Sequence, residues 1–287
     1  MKRLMRLAVV LAAVMLIATA CGSDDTSDTT TTAAAETTTT MAAETTTTMA
    51  AETTTTMAAA DFNLVSDGTL TVCTDAPYPP MEIEVEGEYT GFDIELMRAI
   101  ADDLGLGLSV VNSGFDGITS GLAMEAGECD IAASSITILP EREENIDFSD
   151  PYFVADQSLL TKKDSGLTSL SDFADGRNLG VQSGTTGEIY ANEHDPGATI
   201  VSFENPGDLF TALDAGAIDG ILQDIVPNAA QALDDDTIEV VETYPTAEEY
   251  GFATKEEGKE ALLEAVNTSL QKMRDNGTYQ RIYDEWF

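Results

Sequence analysis

Between residues 70 and 135, short apolar runs alternate with helical ones, and this alternation constrains the fold more than any other feature of the chain. Residues 70–75 (LTVCTD) read as a strand that stops at the turn containing Pro77, Pro79 and Pro80. Residues 91–104 (GFDIELMRAIADDL) set Ile94, Met97, Ala101 and Leu104 at helical spacing, with Asp93 and Glu95 in the first turn, where the helix dipole favours acids. Gly105 and Gly107 end that helix. Residues 108–111 read as a second strand, 118–124 as a second helix and 130–135 as a third strand. This order implies a parallel sheet with helices on its faces. Ligands of such sheets gather at the carboxyl ends of the strands. Asp75, Phe115 and the pair Ser134-Ser135 all follow predicted strand ends.

The pattern recurs downstream. Residues 158–161 are extended and run into Lys162, Lys163, Asp164 and Ser165, which reads as a crossing to a second unit. Residues 178–181, 199–203, 220–223 and 238–241 read as its strands, and 251–254 as the return crossing. Leu262, Val266, Leu270 and Met273 line one face of a late helix that stops at Asn276-Gly277. The expectation is an α/β chain of two lobes, 61–160 with 252–287 and 161–251, joined by a two-segment hinge. Ligands commonly bind at such a domain interface.

The chain ahead of residue 61 has another composition. Lys2, Arg3 and Arg6 precede an apolar run over 7–17 and the small residues before Cys21, which together describe an export signal over 1–20. Cys21 resembles the cysteine of a bacterial lipobox, with Ala18 where the pattern usually has a larger aliphatic, and would carry the lipid (palmitate). Cleavage of a soluble secreted protein near the same point is the alternative. Residues 21–60 are almost only Thr, Ala, Glu, Asp and Met, with ETTTTMAA repeating from Glu36, Glu44 and Glu52. Such a segment has too few large apolar groups to offset the entropy of ordering, so it reads as a disordered tether.

The formal net charge is −39. A surface of that sign repels nucleic acid, whose binding depends on Lys and Arg contacts to phosphate; it otherwise describes a soluble, well-solvated domain. Export permits a disulfide, and Cys73 and Cys129 fall in or beside predicted strands of one lobe; two small buried thiols are the alternative. The single histidine, His194, lies in NEHDPGA and reads as surface loop. No Cys/His spacing suggests a metal site and no phosphate-binding GxxxxGK[ST] string occurs, so neither metal nor cofactor is expected.

Five more strings follow GFDIELMRAIADDL in order: SSITILPERE at 134–143, DFSDPYF at 147–153, GVQSGTTGE at 180–188, LQD at 222–224 and MRDNGTYQRIYDEW at 273–286. With them the chain resembles the family 3 extracellular solute-binding proteins, receptors of polar amino-acid ABC importers, over residues 61–287. The resemblance implies a two-lobed periplasmic-binding-protein-like fold of type II and a monomer that closes on one amino acid. It implies a lipid-anchored place on the outer face of the bacterial cell membrane and delivery to an importer's permease and ATPase subunits.

A free amino acid needs a cation for its carboxylate, acceptors for its ammonium and walls for its side chain. Arg142 supplies a planar fork suited to a carboxylate, which the resemblance assigns to it with help from Thr137 and the backbone around Thr185 and Thr186. The alternative is a surface arginine paired with Glu141, Glu143 or Glu144. Asp224 matches the ammonium carboxylate, assisted by Ser135, and a helix cap is its alternative. Tyr78 and Phe115 match aromatic walls. Asp75 is the discriminating position, where an acid meets a cationic or amide side chain. Ser134 lies beside Ser135 at the same strand end. Gly187 stands where some family members carry Gln, which leaves either more space or a lost contact. Two other functions compete. A dehydratase on the same fold would need a general acid or base such as Glu188 or Asp75. A surface sensor would pass a ligand signal to a membrane partner.

Overall fold

The computed structural model describes residues 62–194 and 197–287. The expected signal, Cys21 and the Thr-rich tether lie outside them. The strands are β1 (Thr69–Thr74), β2 (Ile83–Val85), β3 (Glu88–Thr90), β4 (Gly107–Asn112), β5 (Ile131–Ala132), β6 (Ile146–Phe148), β7 (Phe153–Lys162), β8 (Asn178–Gln182), β9 (Thr199–Phe203), β10 (Gly220–Asp224), β11 (Ile238–Tyr250) and β12 (Ala253–Lys255). The helices are α1 (Phe92–Leu104), α2 (Phe115–Thr119), α3 (Leu122–Glu125), α4 (Thr186–His194), α5 (Pro206–Ala215), α6 (Ile225–Asp234), α7 (Glu260–Asn276) and α8 (Thr278–Trp286).

Two five-stranded sheets make two lobes, ordered β4-β1-β5-β12-β6 and β11-β7-β10-β8-β9. In the first, β1 runs parallel to β4 and β5. In the second, β8 runs parallel to β9 and β10. Alternation of side chains explains how each sheet is covered on both faces. Leu70, Val72 and Ile131 turn to a core built from α1, α7 and α8, whereas Cys73 and Ala132 turn to one built with α2 and α3. Leu159 and Leu222 face the α4 side of the second sheet, and their neighbours Leu160 and Ile221 face the α5 side.

The helix expected over 91–104 forms as α1, with Ile94, Met97 and Ala101 buried and Gly105 in the left-handed conformation at its end. Gly91 precedes it at φ 127°, where a Cβ would lie 2.2 Å from the Met81 carbonyl oxygen. Only glycine allows that approach. The late helix forms as α7 and stops at Gly277, φ 81°. The helix expected over 118–124 is instead two short ones, α2 and α3, broken at Gly121, φ 77°.

The first crossing between lobes is displaced from its expected place. Residues 158–161 belong to β7, which pairs antiparallel with β10 and β11 inside the second sheet. The first lobe therefore ends ahead of Phe153 rather than at residue 160. The run from Phe153 to Lys162 contains neither Gly nor Pro, and β7 is almost continuously buried over its second half, as a central strand must be. Pro151 is the break. The two crossings, 149–152 and 251–252, run together: the rings of Tyr152 and Phe252 stack at 4.1 Å, and Ser149 N–H donates to Phe252 O at 2.8 Å.

Cys73 and Cys129 form a disulfide, with 5.6 Å between their Cα atoms. A second tie lies nearby. The buried Asp130 carboxylate accepts from Val65 N–H, Thr71 N–H and Lys259 Nζ, and the ammonium also donates to Asn63 O. It binds the start of the first lobe to the base of α7.

Candidate functional site

Asp75 follows β1, Phe115 follows β4, Ser134 and Ser135 follow β5, Thr185 and Thr186 follow β8, and Asp224 closes β10. All are carboxyl ends of parallel strands, as expected for ligand positions in α/β sheets. Tyr78 is carried by the proline turn, in which the Ala76-Pro77 and Pro79-Pro80 peptides are cis. Thr137 and Arg142 come from the irregular chain after β5. These ten residues, from both lobes, line one cavity of about 20 Å³ with Glu82, Gln182, Gly187 and Gln223. The cavity is small because side chains from the two lobes meet across it.

Arg142 is 6 % exposed. Its guanidinium donates to Thr137 O and, across the cleft, to Gly184 O, both at 2.9 Å, and lies 5.2 Å from the centre of the Phe115 ring. No acidic side chain among the described residues forms an ion pair with it. The surface reading of Arg142 is thereby excluded: it is a buried cation with donors to spare, since two carbonyls occupy only part of its fork. Burial lowers its pKa, opposed by the charges of Asp224, Glu248 and Glu141. An arginine nonetheless stays protonated.

Asp224 stands at the N-cap position of α6 but makes no capping hydrogen bond with its side chain. It accepts instead from the Tyr78 hydroxyl at 2.8 Å, from the Tyr250 hydroxyl and from Gln157 Nε2. Burial, and then Glu248, push its carboxyl up to about 7. Glu248 accepts from Gln157 Nε2 at 3.0 Å and from Thr137 Oγ1 at 2.9 Å.

Asp75 accepts from Gln182 Nε2 of the opposite lobe at 2.6 Å, and burial raises its carboxyl to about 6 despite that hydrogen bond. The Ser134 hydroxyl accepts from Asp75 N–H at 3.0 Å and donates to Glu82 at 2.8 Å. Ser135 holds a left-handed φ of 49°, uncommon outside glycine, and its hydroxyl is buried with no hydrogen-bond partner among the described residues. Thr185 Oγ1 donates to Gln182 O at 2.8 Å, which fixes the loop entering α4. At Gly187, where either more space or a lost contact was expected, the backbone packs closely: a Cβ there would lie 2.7 Å from Leu222 O. His194 ends α4 on the surface, with its ring stacked on Tyr190. Among the described residues no cluster of three His, Cys, Asp or Glu could hold a metal, and no helix is long and apolar enough to cross a membrane.

Sequence reasoning brought the ten expected residues to one place but missed five of their partners. Gln182 lies inside the string at 180–188 and Glu82 just after the proline turn, and neither was given a role. Gln157, Glu248 and Tyr250 reach the site from β7 and β11, which the expected lobe boundary had split between two lobes. A continuous reading of β7 would have found Gln157.

These features define a two-lobed binding protein, with recognition groups at converging strand ends. Residues 70–287 match the bacterial extracellular solute-binding proteins, family 3, and the chain belongs to that family. It is 35% identical over 203 residues to the ABC transporter glutamine-binding protein GlnH of Bacillus subtilis (strain 168), covering 70% of this chain and 73% of that one. Among solved structures it is similar to an ancestral arginine-binding protein bound to arginine, at 36% identity and a TM-score of 0.71, covering 77% of this chain and 98% of the other. It is also 39% identical to the ancestral amino acid-binding protein AncCDT-1, a precursor of cyclohexadienyl dehydratase, with a TM-score of 0.69 over 77% of this chain and 95% of the other. These relatives are named as binding proteins, and the dehydratase reading gains no support from them.

Proposed function

We propose that this chain is the external receptor of an ABC importer, closing its two lobes on one polar amino acid. The observation that carries this reading is the pairing of opposites in one buried cavity. Among the described residues, Arg142 of the first lobe has no acidic ion-pair partner, and Asp224 of the second accepts only from neutral donors. A zwitterion completes both. Its carboxylate takes the free donors of Arg142, and its ammonium takes Asp224, with Ser135 and Thr137 beside them. Tyr78 and Phe115 wall the side chain. Asp75 meets its end, favouring a cationic or amide group, as in the arginine- and glutamine-binding relatives.

The side chains meet across the cleft, so a ligand enters only when the lobes part. Once inside, it is touched by both, and that differential contact stabilises closure. Cys21, lipidated after removal of residues 1–20, would hold the receptor at the membrane through the tether of 21–60, as a monomer that presents its closed form to the permease and ATPase subunits. Calorimetric titration of the purified protein with the twenty amino acids, ornithine and citrulline tests the reading. Tight binding of one or a few polar amino acids is expected. Silence across the panel from folded protein overturns it.

A further inference from the structure

Two acids on the first lobe's side of the cleft have no part in the scheme above. Glu82 is 1 % exposed and Asp93, in the first turn of α1, is fully buried. Each has one oxygen engaged by the residues that line the first lobe's side of the site. Glu82 Oε1 accepts from the Ser134 hydroxyl at 2.8 Å, and Asp93 Oδ2 accepts from Ser135 N–H at 2.8 Å and the Tyr152 hydroxyl at 2.7 Å. The other oxygen of each, Glu82 Oε2 and Asp93 Oδ1, is buried without a hydrogen-bond partner among the described residues. Neither acid belongs to an ion pair among the described residues.

We propose that Glu82 and Asp93, brought together where Asp93 N–H donates to Met81 O at 3.0 Å, are positioning residues for ligand capture, a buried acid pair that shares one proton and sets the ligand-facing edge of the first lobe through Ser134 and Ser135. The proposal rests on the reading of the cleft as a ligand site. Two bare carboxylates in such surroundings are costly, and one retained proton relieves both the lost hydration and the mutual repulsion. Burial, and then the charge of Asp93, hold Glu82 well above the usual carboxylate range, and burial raises Asp93 to about 7. Such a pair titrates as a unit. The groups facing it are Asp75 and Asp224 from the cleft and the hydroxyls of Tyr78, Tyr152 and Tyr279. The acids add to the repulsion, so loss of the shared proton places a second charge beside the two serines. Acids raised in the folded state stabilise it at low pH, and that advantage is lost as pH rises from the ordinary carboxylate range through the folded values.

Glu82→Gln keeps an oxygen for the Ser134 hydroxyl and has no proton to lose; Glu82→Ala removes the acceptor. Melting temperature without added amino acid, and affinity for the tightest-binding amino acid, are followed from about pH 6 to about pH 8.5 for each protein. Asp75 and Asp224 titrate in the same range, so the readout is the difference between wild type and variant. Wild type should lose melting temperature and about three- to tenfold in affinity across the range. Glu82→Gln should show a distinctly shallower slope than wild type in both readouts, while Glu82→Ala binds weakly throughout. Equal slopes for wild type and Glu82→Gln would overturn the proposal. A wild type that binds no amino acid overturns the cleft reading and the positioning role with it, and the melting slopes then still decide whether the pair holds a proton.

Discussion

Arg142 stands between Glu141 and Glu143 in the chain, yet its guanidinium forms an ion pair with neither and is buried against Phe115, Thr137 and Gly184. Sequence neighbours therefore say little about which charges a side chain meets; the strand ends that surround it decide. Replacing Arg142 by Ala should abolish capture of every amino acid, at a cost of about 2–5 kcal/mol, because the ligand carboxylate would then be buried unpaired. Titration calorimetry across the panel checks this, and unchanged affinity would remove Arg142 from the site. Asp75 behaves differently. Its partner Gln182 is neutral, so Asp75→Asn should shift preference from cationic towards amide or uncharged side chains while leaving the α-amino and α-carboxyl contacts intact. A uniform loss across ligands would argue against a side-chain role.

At the level of elements, the site depends on how α1, β1 and α7 are tied. Gly91 lets the turn before α1 pass against the Met81 carbonyl, one residue from Glu82 and two from Asp93. Gly91→Ala should destabilise the domain by about 2–4 kcal/mol, read by urea unfolding, because the backbone itself must move. The Asp130–Lys259 pair is a second such tie, with side chains 0 % and 4 % exposed. Lys259→Met should cost about 3–5 kcal/mol by leaving a buried carboxylate unpaired. The double change Asp130→Asn with Lys259→Met should recover part of that loss, and no recovery would mean that packing around α7, not charge, sets the cost. The strand β1, the helix α1 and the strand β4 of the first lobe were legible because the apolar spacing there is regular and punctuated by Gly and Pro. The boundary at β7 was not, since an extended run of Leu and Thr looks the same whether it crosses between lobes or sits in a sheet.

For the whole molecule, the two crossings are bound to each other by the Tyr152–Phe252 stack and hydrogen bonds through Ser149, so the lobes turn about one paired strap rather than two independent linkers. The closed cleft is held by Tyr78 to Asp224, Gln182 to Asp75 and Arg142 to Gly184 O, each joining opposite lobes. An amino acid that bridges the same lobes should shift the population further towards closure, seen as a smaller radius of gyration in solution scattering on addition of ligand. A radius that does not change, with binding proven by calorimetry, would mean that ligand enters without lobe motion.

The residues alone determined the α/β alternation and the division into two lobes, and the resemblance of their ordered motifs to a known family supplied the ten side chains that gather round one cavity. Those properties follow from periodicity and from motif order, which are local and survive in one dimension. Tertiary structure decided the rest. It joined Cys73 to Cys129, placed residues 158–161 in the second sheet, set Asp224 as an acceptor of Tyr78, Tyr250 and Gln157, and buried Glu82 and Asp93 beside the serines. Each depends on which distant segments pack together and on how far water is excluded, and neither pairing distance nor burial is written in the order of residues.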